Sequence, residues 1–349
     1  MDYFNYGSKI THKHGASFNS LPSGKLIVLL NLQATYPRKM GDMISSLLFQ
    51  PPPVTFLHPS RYFYIVPSHG TPIPAFYIKS KTPSEVTLLF SHGNAEDIGM
   101  IYDWFADLAR VLKVNVMSYD YKGYGPTSPE NGKTKASGKQ TIKPVEAAAP
   151  SEVAVYQDIT AAYDYLLNVK GCTPNNVVLY GRSLGSGPSC YLAEKTAREG
   201  KSVAGLMLQS PLLSAYRVAF NFRFTFPGDK FANVDRAPSI MCPVWICHGT
   251  NDEVVPFWHG QELFVALPSK WRAKPFWVEG AGHNNIESLL RGSGAFLDHV
   301  TEFLDLYVPG RAGEAADPVP VPEVLGMVLR ERGRGGEGGE RLGGVGGRV

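Results

Sequence analysis

The chain has 349 residues, of which 44% are hydrophobic and 19% are charged, with a formal net charge of +3. This composition is typical of a globular protein, and the positive balance is too weak to indicate a nucleic-acid partner. The longest early apolar run, "LIVLLNL", is much shorter than the roughly 18 residues that a membrane-spanning helix needs. We therefore expect a protein that binds no nucleic acid and at most contacts a membrane surface.

Three segments lack the pattern of a packed domain. Residues 1–53 mix polar residues with short apolar runs and end in "QPPP". Residues 126–150 lack aromatic residues and are rich in Lys, Ser, Thr and Pro, which predicts a flexible surface insertion. Residues 309–349, rich in Gly, Arg and Pro, offer too little apolar surface to offset the entropy of ordering. The sequence thus predicts a poorly structured N-terminal segment, one domain over residues 54–308 and a disordered tail.

Within the predicted domain, strand and helix signals alternate. "RYFYIVP" and "IPAFYIK" predict an antiparallel pair around Gly70, and helical spacing predicts helices at 98–112, at 153–169, after Ser183 and from about 286 to 307. Continuous apolar runs predict buried strands at "VTLLFSH", "VNVMSYD", "NVVLYG", "VAGLMLQS", "CPVWICHG" and "KPFWVEG". The alternation predicts the α/β class, with a mostly parallel central sheet flanked by helices. Ligands of such sheets bind beyond the carboxyl ends of the strands.

A serine between two glycines, in Gly181-Arg182-Ser183-Leu184-Gly185, follows one of these strands and opens a helix. In that setting the G-x-S-x-G pattern predicts a nucleophile elbow, a turn so tight that side chains at the two glycine positions would collide with neighbouring elements. A loose glycine-rich loop is the alternative. The elbow would expose Ser183 at a helix start, where free N–H groups favour a developing anion.

An elbow serine requires a base and an acid, each after a later strand. "FWVEGAGHNN" places His283 after the last strand, and "VWICHGTNDEVVP" places Asp252 after the preceding one. We expect His283 to take the proton of Ser183 and Asp252 to orient the imidazole. Glu253 is the alternative acid, and Asp252 is preferred because it lies nearer the turn.

The loop "HGN" directly follows the third strand and predicts the second part of an oxyanion hole. The backbone N–H groups of Asn94 and Leu184 would stabilise the tetrahedral intermediate. We expect His92 to brace this loop and Asp120 to be structural. No metal-ligand spacing and no phosphate loop is present, so no metal and no cofactor are predicted. The four cysteines predict core thiols of a reducing compartment.

The segment after the sixth strand is too short for a large lid, which predicts a short cap. It contains "AFNFRFTFP", in which Phe220, Phe222, Phe224 and Phe226 alternate. One interpretation is a short strand or loop that packs one aromatic face on the core. The other is an exposed apolar rim in which Phe220, Phe222 and Phe224 bind an acyl chain.

Six blocks together resemble the serine hydrolases called alpha/beta hydrolase domain-containing protein 17, and the related Bem46-like hydrolases. They are "LLFSHGNAEDIGMIYDWFADLA", "SYDYKGYG", "LYGRSLGSGPS", "QSPLLSAYRVAF", "CHGTNDEVVPFWHG" and "VEGAGHNNIE", and the resemblance covers residues 50–306. It implies an α/β-hydrolase fold and thioester cleavage of palmitoyl groups from cysteines of membrane-bound proteins at the cytosolic face. The family's nucleophile, acid and base fall on Ser183, Asp252 and His283.

Two features depart from the family. Its animal members carry an N-terminal cysteine cluster that anchors them to membranes, whereas here no cysteine precedes Cys172, and the insertion replaces a shorter loop. Met40-Gly41-Asp42-Met43-Ile44-Ser45 matches the M-G-x-x-x-S acylation pattern if translation starts at Met40, although Asp42 is unfavourable. We expect a cytoplasmic protein with peripheral membrane contact. An N-terminus at Met1 in mass spectra of the native protein would exclude acylation at Gly41.

Two other functions remain open from the sequence. An esterase, a lipase or a prolyl-type serine peptidase would use the same triad, because pocket shape rather than triad chemistry sets the substrate. A non-catalytic binding protein with the hydrolase fold is the other alternative, which an intact triad disfavours.

Overall fold

The computed structural model describes residues 48–126, 149–220, 228–290, 293–309 and 311. Within these ranges the strands are β1 (Phe63–Ile65), β2 (Ile73–Ile78), β3 (Thr87–Ser91), β4 (Asn115–Tyr119), β5 (Val177–Arg182), β6 (Gly205–Gln209), β7 (Val244–Gly249) and β8 (Phe276–Val278). The α-helices are α1 (Ile98–Leu112), α2 (Glu152–Asn168), α3 (Ser186–Arg198), α4 (Ala215–Phe220), α5 (Asn233–Arg236), α6 (Trp258–Ala266), α7 (Ile286–Leu289) and α8 (Ala295–Tyr307). Single 3₁₀ turns lie at Pro59–Arg61, Pro174–Asn176, Ser183–Gly185, Ala237–Ser239 and Ser269–Trp271.

The eight strands form one sheet in the order β1-β2-β4-β3-β5-β6-β7-β8. β1 pairs antiparallel with β2, and β2 pairs antiparallel with β4. From β4 to β8 every pairing is parallel. The predicted α/β class and mostly parallel sheet are confirmed. The carboxyl ends of β3, β5, β7 and β8 therefore lie at one edge of the sheet.

The sheet separates two apolar layers because strand side chains alternate between its faces. Leu89 of β3 faces the layer covered by α2, α3 and α6, whereas Leu88 and Phe90 face the layer covered by α1 and α8. Phe90 packs on Phe105 of α1, with ring centroids 4.3 Å apart, and both rings are buried. Fully burying one such side chain contributes about 1.5–3 kcal/mol.

Helix α1 forms where the apolar spacing predicts it. Its buried residues recur every three or four positions: Ile98, Ile101, Phe105, Leu108, Ala109 and Leu112. The side chain of Asp97 caps the first turn by accepting a hydrogen bond from the backbone N–H of Met100. Helix α1 thus starts directly behind the loop that follows β3.

The prediction of one helix from about residue 286 to 307 is wrong. The structure has the short helix α7 and then α8, which starts after Gly294. Gly294 has a φ of 70°, a left-handed conformation that interrupts an α-helix and favours glycine. The apolar spacing continues across the break, so periodicity alone did not reveal it.

Residues before the predicted domain boundary at 53 already contribute to the core. Phe49 is buried, and its ring contacts that of Phe231 edge-on at a centroid distance of 6.0 Å. Most of the predicted N-terminal segment, insertion and tail lies outside the described residues, so the segment boundaries stay predictions.

Candidate active site

Ser183 lies at the turn between β5 and α3, in a 3₁₀ turn that spans Ser183–Gly185. Its φ of 52° is in the left-handed region, which is a strained conformation for a residue with a side chain. A Cβ at Gly181 would collide with the carbonyl oxygen of Gly185, and one at Gly185 would collide with that of Ser91. Both glycines are therefore required for the close approach of β3, β5 and α3.

His283 brings Ser183 and Asp252 into one hydrogen-bonded chain. Its Nδ1 lies 2.8 Å from Oδ2 of Asp252, and its Nε2 lies 3.0 Å from Oγ of Ser183. A carboxylate can only accept, so Nδ1 carries the proton and donates it to Asp252. Nε2 is then an acceptor for the hydroxyl of Ser183, which is the geometry in which an imidazole can deprotonate a serine.

The carboxylate of Asp252 is held on several sides. Its Oδ1 accepts the backbone N–H groups of Val254 and Val255 at 3.0 and 2.7 Å. Nε2 of His248 lies 3.3 Å from Oδ2, the oxygen that also contacts His283. Burial raises the pKa of Asp252, but the hydrogen bonds from His248 and His283 outweigh it and hold the pKa below its ordinary value. Asp252 is therefore ionised at neutral pH.

Glu253, the alternative acid, takes a different position. Its Oε2 accepts the backbone N–H of His283 at 3.2 Å, whereas Asp252 contacts the imidazole. Of the two carboxylates, Asp252 is thus the one placed to orient the ring. Glu253 instead fixes the backbone of the loop that carries His283.

The loop after β3 lies against the turn that carries Ser183, because a Cβ at Gly185 would overlap the backbone of Ser91 and His92. Asn94 is fixed by its side chain: Oδ1 accepts the backbone N–H of Gln50 at 2.9 Å and the hydroxyl of Tyr124 at 2.7 Å. Asn94 and Leu184, the two predicted oxyanion residues, therefore lie on adjoining segments.

His92 and Asp120 lie buried behind this loop. Nδ1 of His92 donates to the carbonyl of Gly93 at 2.7 Å, and burial lowers the pKa of His92 to about 4, so its ring is neutral at pH 7. Oδ1 of Asp120 accepts the N–H of Ile98 at the start of α1. Burial raises the pKa of Asp120 well above its ordinary value. Both side chains contact the protein's own backbone.

Sequence reasoning missed His248 and Tyr124. His248 stands within the apolar strand β7 and is fully buried, and a histidine inside an apolar run is the sequence signal that could have identified it. Tyr124 belongs to "SYDYKGYG", a block noted only for its resemblance. Nothing in the spacing of either residue indicated its contacts with Asp252 and Asn94.

Several predicted features lie outside the described residues. They are Phe222, Phe224 and Phe226 of the predicted acyl rim, the acylation pattern at Met40-Gly41, and residues 127–148 of the insertion. Phe220 ends α4, and its side chain is likewise not described. The two interpretations of the phenylalanine segment therefore both stay open.

The described residues contain neither a candidate metal site nor a candidate membrane span. They hold no group of His, Cys, Asp and Glu arranged to bind a metal ion. None of their helices combines the length and apolar character needed to cross a bilayer. The four cysteines carry no disulfide; Cys190, Cys242 and Cys247 are buried, and Cys172 is half-buried.

Solved structures identify the fold class. An esterase from Pyrococcus furiosus, Pf2001, superimposes with a TM-score of 0.53 at 14% identity, covering 75% of this chain and 98% of the esterase. An alpha-beta hydrolase from Vibrio vulnificus gives a TM-score of 0.51 at 19% identity, covering 69% of this chain and 80% of the other. The eight-stranded sheet and its helices are those of an α/β hydrolase.

Sequence relatives identify the family, although no family model matches the chain. Alpha/beta hydrolase domain-containing protein 17C of Xenopus laevis is 36% identical over 241 residues, which cover 69% of this chain and 68% of the frog protein. The human protein 17B is 37% identical over 238 residues, covering 68% of this chain and 72% of the human one. The chain belongs to the alpha/beta hydrolase domain-containing protein 17 family, as the sequence blocks predicted.

Proposed function

We propose that this chain is a serine hydrolase that cleaves long-chain acyl thioesters, such as palmitoyl groups, from cysteines of proteins. The observation that carries the proposal is the hydrogen-bonded chain from Ser183 Oγ through His283 to Asp252. A hydroxyl, an imidazole and a buried carboxylate in that order form the triad of acyl-transfer enzymes. The family's blocks favour the thioester among the possible acyl substrates.

In the first half of the reaction, Oγ of Ser183 attacks the thioester carbonyl while His283 Nε2 takes the hydroxyl proton. The N–H groups of Asn94 and Leu184 stabilise the oxyanion of the tetrahedral intermediate. Asp252 stabilises the imidazolium that forms. Collapse of the intermediate breaks the carbon–sulfur bond, and His283 returns the proton to the leaving thiolate. The products are a free cysteine and acyl-Ser183.

In the second half, His283 takes a proton from water, and the resulting hydroxide attacks the acyl-serine carbonyl. The same oxyanion hole stabilises the second intermediate. Its collapse breaks the bond to Ser183 Oγ, which recovers its proton from His283. A fatty acid leaves, and the enzyme is regenerated without any cofactor.

Labelling with a fluorophosphonate probe tests the nucleophile. We expect covalent modification of the wild-type protein at Ser183 and none in the Ser183→Ala variant. Absence of labelling in well-folded wild-type protein would instead support a hydrolase-shaped binding protein.

Acyl-chain series test the substrate. Thioesters and oxyesters of the same chain lengths are compared by kcat/KM, and a preference for long-chain thioesters supports the proposal. A preference for short oxyesters would favour an esterase, which is the activity named for the Pyrococcus furiosus neighbour. Cleavage of a prolyl peptide bond at a comparable rate would favour the peptidase alternative.

The proposed substrates and location come from the family resemblance rather than from the triad. We propose that the protein acts on S-acylated proteins at the cytosolic face of membranes and contacts the membrane only at its surface. Phe220, Phe222 and Phe224 are the proposed acyl-binding residues. Replacing Phe222 and Phe224 with serine should raise KM more for long-chain than for short-chain thioesters. Equal increases for both chain lengths would exclude an acyl-binding rim.

A further inference from the structure

A second charged cluster lies directly beside Ser183 and takes no part in the triad. Arg182, the residue before Ser183, forms ion pairs with Glu96 and Glu287. The three side chains are about one-fifth to one-quarter exposed, at 24% for Arg182, 20% for Glu96 and 19% for Glu287. An arginine shared between two carboxylates joins three segments that are distant in sequence.

Glu96 connects Arg182 to the loop after β3. Oε2 of Glu96 accepts the backbone N–H of Gly93 at 2.8 Å. Gly93 precedes Asn94, one of the two proposed oxyanion donors. Through Glu96, the guanidinium of Arg182 is therefore connected to the loop whose backbone would meet the oxyanion.

Glu287 connects Arg182 to the segment that carries the proposed base, His283. Glu287 lies on α7, four residues after His283, and its Oε1 lies 3.4 Å from Nη1 of Arg182. The same Oε1 accepts a hydrogen bond from Nε2 of Gln209 at 2.8 Å. Gln209 ends β6 and in turn accepts the hydroxyl of buried Tyr180 at 2.5 Å. Glu287 is thus held by a residue of the sheet as well as by Arg182.

We propose that Arg182 is a positioning residue that fixes the oxyanion loop and the His283 segment relative to Ser183. This inference rests on the proposed serine-hydrolase function. A guanidinium suits the task because it presents several N–H donors in a rigid plane and can engage two carboxylates at once. Without it, Glu96 and Glu287 would face each other as like charges, and both loops would lose their common partner.

The experiment compares variants in which either Arg182 or one of its two carboxylate partners is replaced. Arg182→Gln removes both ion pairs, whereas Glu96→Gln and Glu287→Gln each weaken one while keeping the side-chain shape. Arg182→Lys keeps the charge but lacks the planar fork. The matched control is Arg236→Gln, which breaks a similarly part-buried pair with Glu194 of α3, 2.7 Å apart.

We expect Arg182→Gln to lower kcat for an acyl thioester about 10- to 100-fold with little change in KM, because small misplacements of catalytic groups cost that much. Arg182→Lys should recover part of the loss. Combining Arg182→Gln with Glu96→Gln should cost less than the product of the single effects, since the two residues act through one contact. Arg236→Gln should lower the melting temperature without lowering kcat of the folded enzyme.

A kcat of Arg182→Gln equal to that of Arg236→Gln, in proteins of matched melting temperature, would overturn the positioning role. So would Glu96→Gln and Glu287→Gln both retaining wild-type kcat. These results are distinguishable from failure of the proposed function, because fluorophosphonate labelling of wild-type Ser183 is measured in parallel. Labelled wild-type protein together with an Arg182→Gln variant of undiminished kcat refutes only the role of Arg182.

Discussion

His248 and Asp252 are in direct contact: Nε2 of the buried imidazole lies 3.3 Å from Oδ2 of the carboxylate. The same Nε2 lies 2.8 Å from the carbonyl oxygen of Val255. Because a carbonyl only accepts, Nε2 carries a proton and donates it to Val255, with Asp252 as a second, longer contact. Asp252 is thus oriented by imidazoles from two directions, His283 on the solvent side and His248 from within the fold.

The first prediction concerns this second imidazole. His248→Gln keeps an N–H donor near the position of Nε2, whereas His248→Leu removes it. The N–H of His248 is shared between the Val255 carbonyl and Asp252, so its loss should let the carboxylate shift. We expect His248→Leu to lower kcat about tenfold, because small misplacements of catalytic groups are costly, and His248→Gln to lower it less. The measurement is kcat and KM on an acyl thioester. Equal kcat values for the two variants would show that the donor does not orient Asp252.

The second prediction follows from the lowered pKa of Asp252. Its ordinary value, 3.8, applies to the unfolded chain, so the ionised carboxylate stabilises the fold above that pH, and the stability is lost as the pH falls through the lower folded value. The difference in unfolding free energy between wild type and Asp252→Asn should therefore shrink as the pH falls from about 5 to below about 4. Urea denaturation across this range measures it.

The same variant tests catalysis. Asp252→Asn would present an amide to Nδ1 of His283 and favour the wrong tautomer, so we expect kcat to fall by about 10⁴-fold. Glu253→Gln is the matched control, because Glu253 contacts only the backbone N–H of His283 among the triad groups. A larger loss in Glu253→Gln than in Asp252→Asn would reassign the acid.

The third prediction separates strain at the elbow from strain elsewhere. A Cβ at Gly185 would collide with the carbonyl of Ser91, so Gly185→Ala should cost about 1–3 kcal/mol and displace Ser183 from His283. Gly200 has a φ of 68° and open space around it, so Gly200→Ala costs about 1–2 kcal/mol through backbone strain alone. We expect only Gly185→Ala to lower kcat per folded molecule. Urea denaturation and thioester kinetics on both variants decide it.

Much of this arrangement could be predicted because it depends on local pattern and chain order. The apolar spacing of α1 identified its buried face, and the strand–turn–helix context of Ser183 implied acidic and basic partners after later strands. Asp252 and His283 were found because parallel strands bring their carboxyl ends together. These predictions required only the order of the elements along the chain, not the distances between side chains in the folded protein.

The contacts that depend on tertiary packing could not be predicted. Arg182 and Glu287 are 105 residues apart, and neither occupies a position at which strand topology demands a charge. His248 belongs to an apolar run that otherwise indicates only a buried strand. Such contacts arise when side chains from separate loops converge, and neither periodicity nor a motif of one segment encodes that convergence.

The last prediction tests whether the oxyanion loop must be held in place. The hydroxyl of Tyr124 donates to Oδ1 of Asn94 at 2.7 Å, and Tyr124→Phe removes this bond while keeping the ring. A hydrogen bond of this kind contributes about 0.5–1.5 kcal/mol, so we expect kcat to fall about 2- to 10-fold with KM unchanged. Tyr156→Phe is the control, because its hydroxyl donates to Glu152 on the same helix, α2. That variant should lose stability alone, and an equal loss of kcat in both variants would mean that Tyr124 contributes only to folding.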